Sequence, residues 1–474
     1  MDKTGIVLTT LVVYKLLLVA IGFWASRRTA DSSDFFIGGR GLGPVVAALS
    51  YSSSASSAWT LLGMSGAAYV IGLSSLWLVL GSLLGMLVAW CWIGPRLLAF
   101  SRTHRQITLI DFMAHDSRGA SRRGIVWVSA LIIIFSFAFY IAAQFQGAGN
   151  TFASTFGISM SHSIVLGAVI IMVYTLLGGF WAVSVTDALQ GLLMAVTAVL
   201  LPVVALVEVG GFGGLWQGLQ QVSNAAQLSL TGGNVGLLAV GVVVGGIGVG
   251  IGTYGQPQLL VRFMALRDER ALRQARLITI AWYLAVFLGM YLVGLIGHVL
   301  HPLSSNPETI FFVLTESLFP AVLGAVLLAA VLSAIMSTAD SQLLVIASSI
   351  AHDLGLGRRW PSRMLLISRL AIVFAVTVAV LIAILLPEKI FSRVLFAWVA
   401  LGSAFGPVLF VRLAGVALRP AAVLVSILCG FSLAVGFSFL PNTPGDILER
   451  LLPFCVALAI LLLAGRSKRP TAAG

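Results

Sequence analysis

Charge is scarce in this chain: Asp, Glu, Lys and Arg make up 9% of its 474 residues, where a chain that folds in water carries about 25%. Acids are scarcest, with 16 Asp and Glu against 28 Lys and Arg. No polar stretch is long enough to fold separately in water, so one domain over residues 1–474 is expected. Cysteine is nearly absent. Cys91, Cys429 and Cys455 fall in apolar segments at no metal-ligand spacing, which excludes a disulfide framework and a cysteine zinc site. The six histidines are scattered: His104, His115, His301 and His352 in or near expected loops, His162 near a helix start and His298 near a helix end. None stands with a serine and an acid in a nucleophile arrangement, so no catalytic and no cofactor-binding residue is assigned. The first apolar run has no small-residue cleavage site after it and, at about 20 residues, can span a bilayer, which predicts a retained helix.

What is abundant is apolar. With 59% hydrophobic residues and a mean hydropathy of +1.05, the composition predicts an all-α polytopic membrane protein whose partner is the lipid bilayer. Thirteen apolar spans are expected, at about 5–26, 43–70, 73–100, 125–152, 160–180, 184–208, 234–263, 274–300, 318–350, 364–386, 391–413, 420–438 and 448–465. An odd number puts the termini on opposite sides. One set of alternate loops, including Arg27, Arg28, Arg40, Arg102, Arg105, Arg262, Arg267, Arg412, Arg466, Lys468 and Arg469, holds 22 of the 28 basic residues. The other side holds Lys3, Lys389, Arg393 and Arg450, which puts the N-terminus outside and the C-terminus in the cytoplasm. The net charge of +12 is therefore a topology signal, and no nucleic-acid partner is expected. Lys15, alone in the first span, reads as a snorkelling side chain.

Three spans are chemically interrupted. The second contains Ser50 to Trp59, almost devoid of large aliphatics, and the seventh crowds Gly241, Gly245, Gly246, Gly248, Gly250, Gly252 and Gly255 before Gln256-Pro257. Such stretches at membrane depth suggest discontinuous helices whose free amides and carbonyls bind ions and substrate; a close-packing face is the alternative. The two interruptions lie five spans apart, so spans two to six and seven to eleven form halves of opposite orientation, with core repeats of about 43–208 and 234–413. The ninth span breaks into Ser337-Thr338-Ala339-Asp340-Ser341-Gln342. Ala334, Ser337, Thr338 and Ser341 fall on one helix face, which can supply hard oxygen ligands to a small cation or serve as packing glue. A carboxylate at membrane depth costs about 2.5–3.5 kcal/mol, so Asp340 needs a cation, a proton or a polar partner.

Phe35 to Leu49, Gly178 to Gln190, Gly255-Gln256-Pro257 with Arg262-Phe263-Met264, Ala334 to Val345 and Phe396 to Pro407 carry, in order, a likeness to a known family. The chain resembles the sodium/solute symporter family, and within it most closely the bacterial sodium/proline symporters. That resemblance implies a LeuT-type 5+5 inverted repeat with one helix before and two after the core, in the bacterial plasma membrane, carrying a small solute with Na+. It implies a sodium site made by the backbone carbonyls of Ser53, Ser56 and Ala334 and the hydroxyls of Ser337 and Thr338. Asp187 matches a family acid and stands opposite Asp340, where some relatives bind a second cation. The solute, a small zwitterion such as proline, is expected at the midplane between Ser57, Trp59, Tyr140, Thr253, Tyr254 and Gln256.

The chain also departs from the pattern. The proline symporters have an acid where Ala55 stands and aromatic residues where Val249 and Thr253 stand. Asp187 and Asp340 would then carry the charge lost at Ala55, by holding a second cation or a shared proton. Coupling to protons, a carboxylate or sugar as solute, and a channel or sensor built on the transporter fold remain the alternatives at this stage. Oligomeric state is not legible.

Overall fold

The computed structural model describes residues 3–26, 37–177, 179–386, 388–441 and 443–465. Arg27, Arg28, Phe35, Phe36, Gly178, Arg466, Lys468 and Arg469, which enter the charge and motif readings, lie outside these ranges. Among the described residues the regular structure is helical, with one isolated parallel bridge between Leu42 and Leu266. The first repeat region follows α1 (Lys3–Ser26) and comprises α2 (Pro44–Ala55), α3 (Met64–Ile71), α4 (Leu76–Val88), α5 (Gly94–Thr103), α6 (Leu109–Met113), α7 (Gly119–Phe156), α8 (Met160–Leu177) and α9 (Phe180–Glu208). After α10 (Gly211–Val222) come α11 (Gly236–Gly248), α12 (Pro257–Ala265), α13 (Glu269–Leu300), α14 (Ile310–Leu318), α15 (Ala321–Ser348), α16 (Leu356–Arg359), α17 (Met364–Leu385) and α18 (Ile390–Leu413). The chain closes with α19 (Pro420–Phe437), α20 (Ile447–Arg450) and α21 (Leu452–Ala464).

Both expected breaks are present. α2 ends at Ser56 (φ −104°, ψ 85°), and the chain re-enters helix through a π-helical turn, Trp59–Gly63. Serine hydroxyls offer the backbone partners that compete with the helix ladder, which is why a run of them ends a helix here. α11 gives way to a 3-10 turn, Val249–Gly255, and Gln256 is extended (φ −82°, ψ 105°) before Pro257 starts α12. Gly252 lets Trp398 of α18 lie against this turn, because a Cβ there would stand 1.8 Å from the Trp398 ring.

Eleven runs of the described residues are long and apolar enough to cross a membrane. They differ from the thirteen expected spans at two places. α2 has 12 residues, and the second half of that span continues with the third as one apolar run, Trp59–Thr103. Gly72 turns inside it with φ +64°, and a Cβ there would stand 2.2 Å from the Gln227 carbonyl oxygen. The other is α8, whose apolar stretch Met160–Leu176 is shorter than the rest. α13 starts earlier than hydropathy placed it because Asp268 caps it, its Oδ1 accepting the Ala271 N–H at 2.6 Å. α10 and α14, short helices between spans, were not anticipated.

Several cations read as loop charges are instead buried: Arg262 is 2% exposed, Arg393 1%, Arg412 5% and Arg450 7%. Each finds carbonyl oxygens. Arg412 donates to Phe112, Met113 and His115, Arg393 to Leu386, Arg450 to Gly245 and Arg262 to Gln258. For Arg393, Arg412 and Arg450 these carbonyls lie at the C-terminal ends of helices, which leave them without intrahelical partners, and a guanidinium satisfies several at once. Lys15 does not snorkel: its ammonium contacts Met336 Sδ on α15 and lies within electrostatic reach of Asp340.

Candidate functional site

α2 packs against α9, α13 and α15, so its serine-rich last turns face the polar stretch of α15 inside the bundle. Residues 50 to 58 and 329 to 344 are buried throughout. Ser337 Oγ lies 3.1 Å from the Ser53 carbonyl oxygen and 3.3 Å from that of Ala334. Thr338 Oγ1 donates to the next carbonyl, Ser54, at 3.2 Å, and Ser54 Oγ returns a bond to the Ser337 carbonyl at 3.0 Å. Three of the five expected oxygen sources, Ser53, Ala334 and Ser337, therefore meet at one point, with Thr338 one carbonyl along. Ser56 closes α2, and its hydroxyl is buried without a hydrogen-bond partner.

The acids are arranged differently from the expectation. Asp187 of α9 and Asp340 of α15 are both fully buried and within electrostatic reach of each other. Asp187 Oδ2, however, is held by the Arg262 guanidinium at 2.7 Å and also accepts from Ser50 at 2.9 Å and Ser54 at 3.1 Å. Arg262 reaches Ser50, Ser54 and Ser341 in turn at 2.7–2.8 Å and lies over the Phe180 ring. Its partner was missed because the last turn of α12 looks, in hydropathy alone, like the start of a basic loop. Asp340 Oδ1 accepts the Ser341 N–H at 2.6 Å, while Asp340 Oδ2 and Asp187 Oδ1 are buried with no hydrogen-bond partner among the described residues.

Beside this polar layer lies a cavity lined by Ala55, Trp59, Ser82, Tyr140, Val249, Thr253, Tyr283, Phe287, Val394, Leu395 and Trp398. Of the expected solute contacts, Trp59, Tyr140 and Thr253 line it. Ser57 stands one hydrogen bond behind, its Oγ 3.4 Å from the Tyr140 hydroxyl and accepting the Trp59 N–H at 3.1 Å. Gln256 braces the broken helix, donating to Gly252 and Trp398 carbonyls at 3.0 and 3.2 Å. Tyr254 packs edge-on against Phe410, 4.9 Å between centroids, and is not part of the lining. The sequence reading missed Ser82, Val394, Leu395 and Trp398 and the stacked pair Tyr283 and Phe287, 5.1 Å apart. The i, i+4 spacing of that pair was a usable signal, and Trp398 sits inside one of the segments that carry the family likeness. A second cavity, lined by Arg262, Ser341, Phe180, Thr108 and Asp353 among others, lies on the other side of the polar layer. The arrangement is that of a binding chamber with a polar floor.

The chain is 36% identical over 417 residues to the osmoregulated proline transporter OpuE of Bacillus subtilis, covering 86% of this chain and 83% of that one. It is 33% identical to a sodium/proline symporter of Staphylococcus aureus, covering 85% and 80%. Among solved structures, a Na+-coupled sialic acid symporter superposes with a TM-score of 0.80 at 17% identity over 99% of this chain and all of that one. Mhp1, a nucleobase-cation-symport-1 transporter, gives 0.55 at 14% identity, covering 92% and 95%. These likenesses show an all-α LeuT-type inverted repeat. The profile of the sodium:solute symporter family matches residues 35–414, and the chain belongs to that family of membrane transporters.

Proposed function

We propose that this protein brings proline, or a closely related amino acid, into a bacterial cell across the plasma membrane together with Na+. Its 474 residues form one transport unit with core repeats of about 43–208 and 234–413 and thirteen crossings, the N-terminus outside and the C-terminus in the cytoplasm. The observation that carries the proposal is the meeting of Ser337 Oγ with the Ser53 and Ala334 carbonyl oxygens within 3.3 Å, two residues from the Ala55 that lines the cavity.

A hydroxyl that turns its proton away adds its lone pair to two carbonyls already aimed at it, so these groups fit a small dehydrated cation. Ser56 and Thr338 complete the set. The carbonyl end of α2 is also the negative end of a helix dipole, which favours a cation there. Such a cation would tie α2 to α15 and fix the Ser56–Ser57 break, which shapes the solute chamber; this links the two binding events. Within the chamber, Trp59, Tyr140 and Thr253 face the solute, Ser57 orients Tyr140, Gln256 holds the broken seventh span open, and Tyr254 acts as outer packing.

Asp187 and Asp340 carry the buried negative charge that Ala55 does not. The Arg262 guanidinium balances Asp187, and the open lone pairs of Asp187 Oδ1 and Asp340 Oδ2 are where a second cation or a shared proton binds. Those unpartnered oxygens keep proton coupling as the second reading. Uptake of labelled proline into proteoliposomes at constant pH separates the two. A sodium gradient should drive accumulation, whereas accumulation driven by a pH gradient without sodium assigns the coupling to protons. Competition by a panel of amino acids, carboxylates and sugars tests the solute; inhibition by sugars alone ends the amino-acid assignment.

A further inference from the structure

Four arginines converge on a concavity where α5, the segment before α2 and the segment after α12 meet. Among the described residues it is lined by Gly39, Arg40, Arg102, Arg105, Ile107 and Arg267, none of them an acid. The backbone fixes them in place. Leu42 and Leu266 form the parallel bridge, with the Leu42 N–H on the Ala265 carbonyl and the Arg267 N–H on the Leu42 carbonyl, both at 3.1 Å. This brings Arg40 and Arg267 side by side. Arg102 Nη2 donates to the Leu266 carbonyl at 2.7 Å, and Arg40 Nη2 to that of Gln106 at 2.7 Å. Two of the four also adopt a backbone that side chains avoid, with φ +58° at Arg40 and +53° at Arg105. Topology signals need only a basic residue on the correct side of the membrane; they do not need guanidinium groups held together on strained backbone.

Like charges gathered this way repel. Burial and the neighbouring Arg102 together push the Arg40 guanidinium below its ordinary value. Asp268 is about half exposed, pairs with Arg267 at 3.4 Å and caps α13 with its other oxygen. The guanidinium fork matches the oxygens of a phosphate, and basic pockets at one end of membrane helices take anionic headgroups.

We propose that Arg40, Arg102, Arg105 and Arg267 form a binding site for a phosphate group, borne by an anionic phospholipid or free in solution. The test uses the full chain in phosphatidylcholine nanodiscs and follows the thermal unfolding midpoint. One arm replaces part of the lipid with phosphatidylglycerol, and the other titrates inorganic phosphate at constant ionic strength. Arg105→Gln is the informative variant, because the Arg105 side chain makes no hydrogen bond to the protein among the described residues. Arg270→Gln, at an exposed position outside the concavity, removes the same charge as a control. Arg105→Gln should need about fivefold more of the stabilising anion than the unaltered chain, the equivalent of one arginine near a charged headgroup, with Arg270→Gln unchanged. Stabilisation by both probes assigns the phosphate group alone as the ligand, and stabilisation only by phosphatidylglycerol assigns the lipid; both support the site. No stabilisation of the unaltered chain, or equal effects of the two substitutions, overturns it.

Discussion

At the scale of single residues the costliest feature is the Asp187–Arg262 pair, two charges taken out of water and set 2.7 Å apart in the centre of the bundle. Removing one partner of such a pair leaves the other charge uncompensated, at about 3–5 kcal/mol, whereas removing both costs far less. Asp187→Asn and Arg262→Gln should each lower the yield and unfolding midpoint of the purified protein sharply, and the double variant should recover much of that loss. A thermal-shift double-mutant cycle checks this; additive losses would mean that the two groups are stabilised separately. Asp340 behaves differently, because its Oδ2 has no hydrogen-bond partner to lose. Asp340→Asn should therefore leave the folded yield close to that of the unaltered chain and alter the sodium or pH dependence of uptake. A variant that folds poorly and keeps both dependences would place Asp340 in the framework alone.

At the scale of elements, the broken spans, α15 and the chamber depend on a contact on the other face of the cavity. Trp59 stacks on Phe391 at 5.7 Å, and the N–H groups of Ile390 and Phe391, at the start of α18, are accepted by buried Glu308 at 3.2 and 3.0 Å. Burial pushes the Glu308 carboxyl up from its ordinary value against these N–H bonds, which lower it. A carboxyl raised in the folded state contributes stability that is full below its unfolded value and lost as pH rises through the folded one. The contact between the segment before α14 and the start of α18 should thus loosen as pH rises, and Glu308→Gln should remove that dependence. Cysteine labelling at an introduced site beside Trp59, followed against pH, measures it; an identical pH profile in the Gln variant would reject the assignment. These elements differ in how far they were legible. The two breaks and most span ends were, because serine runs, Gly-Gln-Pro and hydropathy act locally. The Glu308 contact, α10, α14 and the side-chain pairing of Arg262 were not, since they depend on which segments meet across the bundle, and hydropathy carries no such information.

At the scale of the whole molecule, the charge pattern and the inverted halves are two independent signals of one architecture. The loop charges point to an orientation even though Arg262 and Arg412, counted among them, are buried against helix ends, because both still lie at the same end of their spans. What the sequence made legible was that the serine-rich end of α2 and the hydroxyls of α15 are chemically alike and at membrane depth; their meeting is seen only in the fold. Tyr254 packs on Phe410 outside the chamber lining because a broken helix turns its residues through angles that a helical wheel does not describe. The account rests on the claim that a cation binds where α2 ends against α15. The most direct measurement is the sodium concentration for half-maximal proline uptake in proteoliposomes made from the unaltered chain and from a Ser337→Ala, Thr338→Ala double variant. With two hydroxyl ligands gone, each worth about 1 kcal/mol or more, that concentration should rise at least about tenfold at equal amounts of folded protein. An unchanged sodium requirement, with uptake falling only as far as the folded protein does, would contradict the account and leave the hydroxyls as packing between two helices.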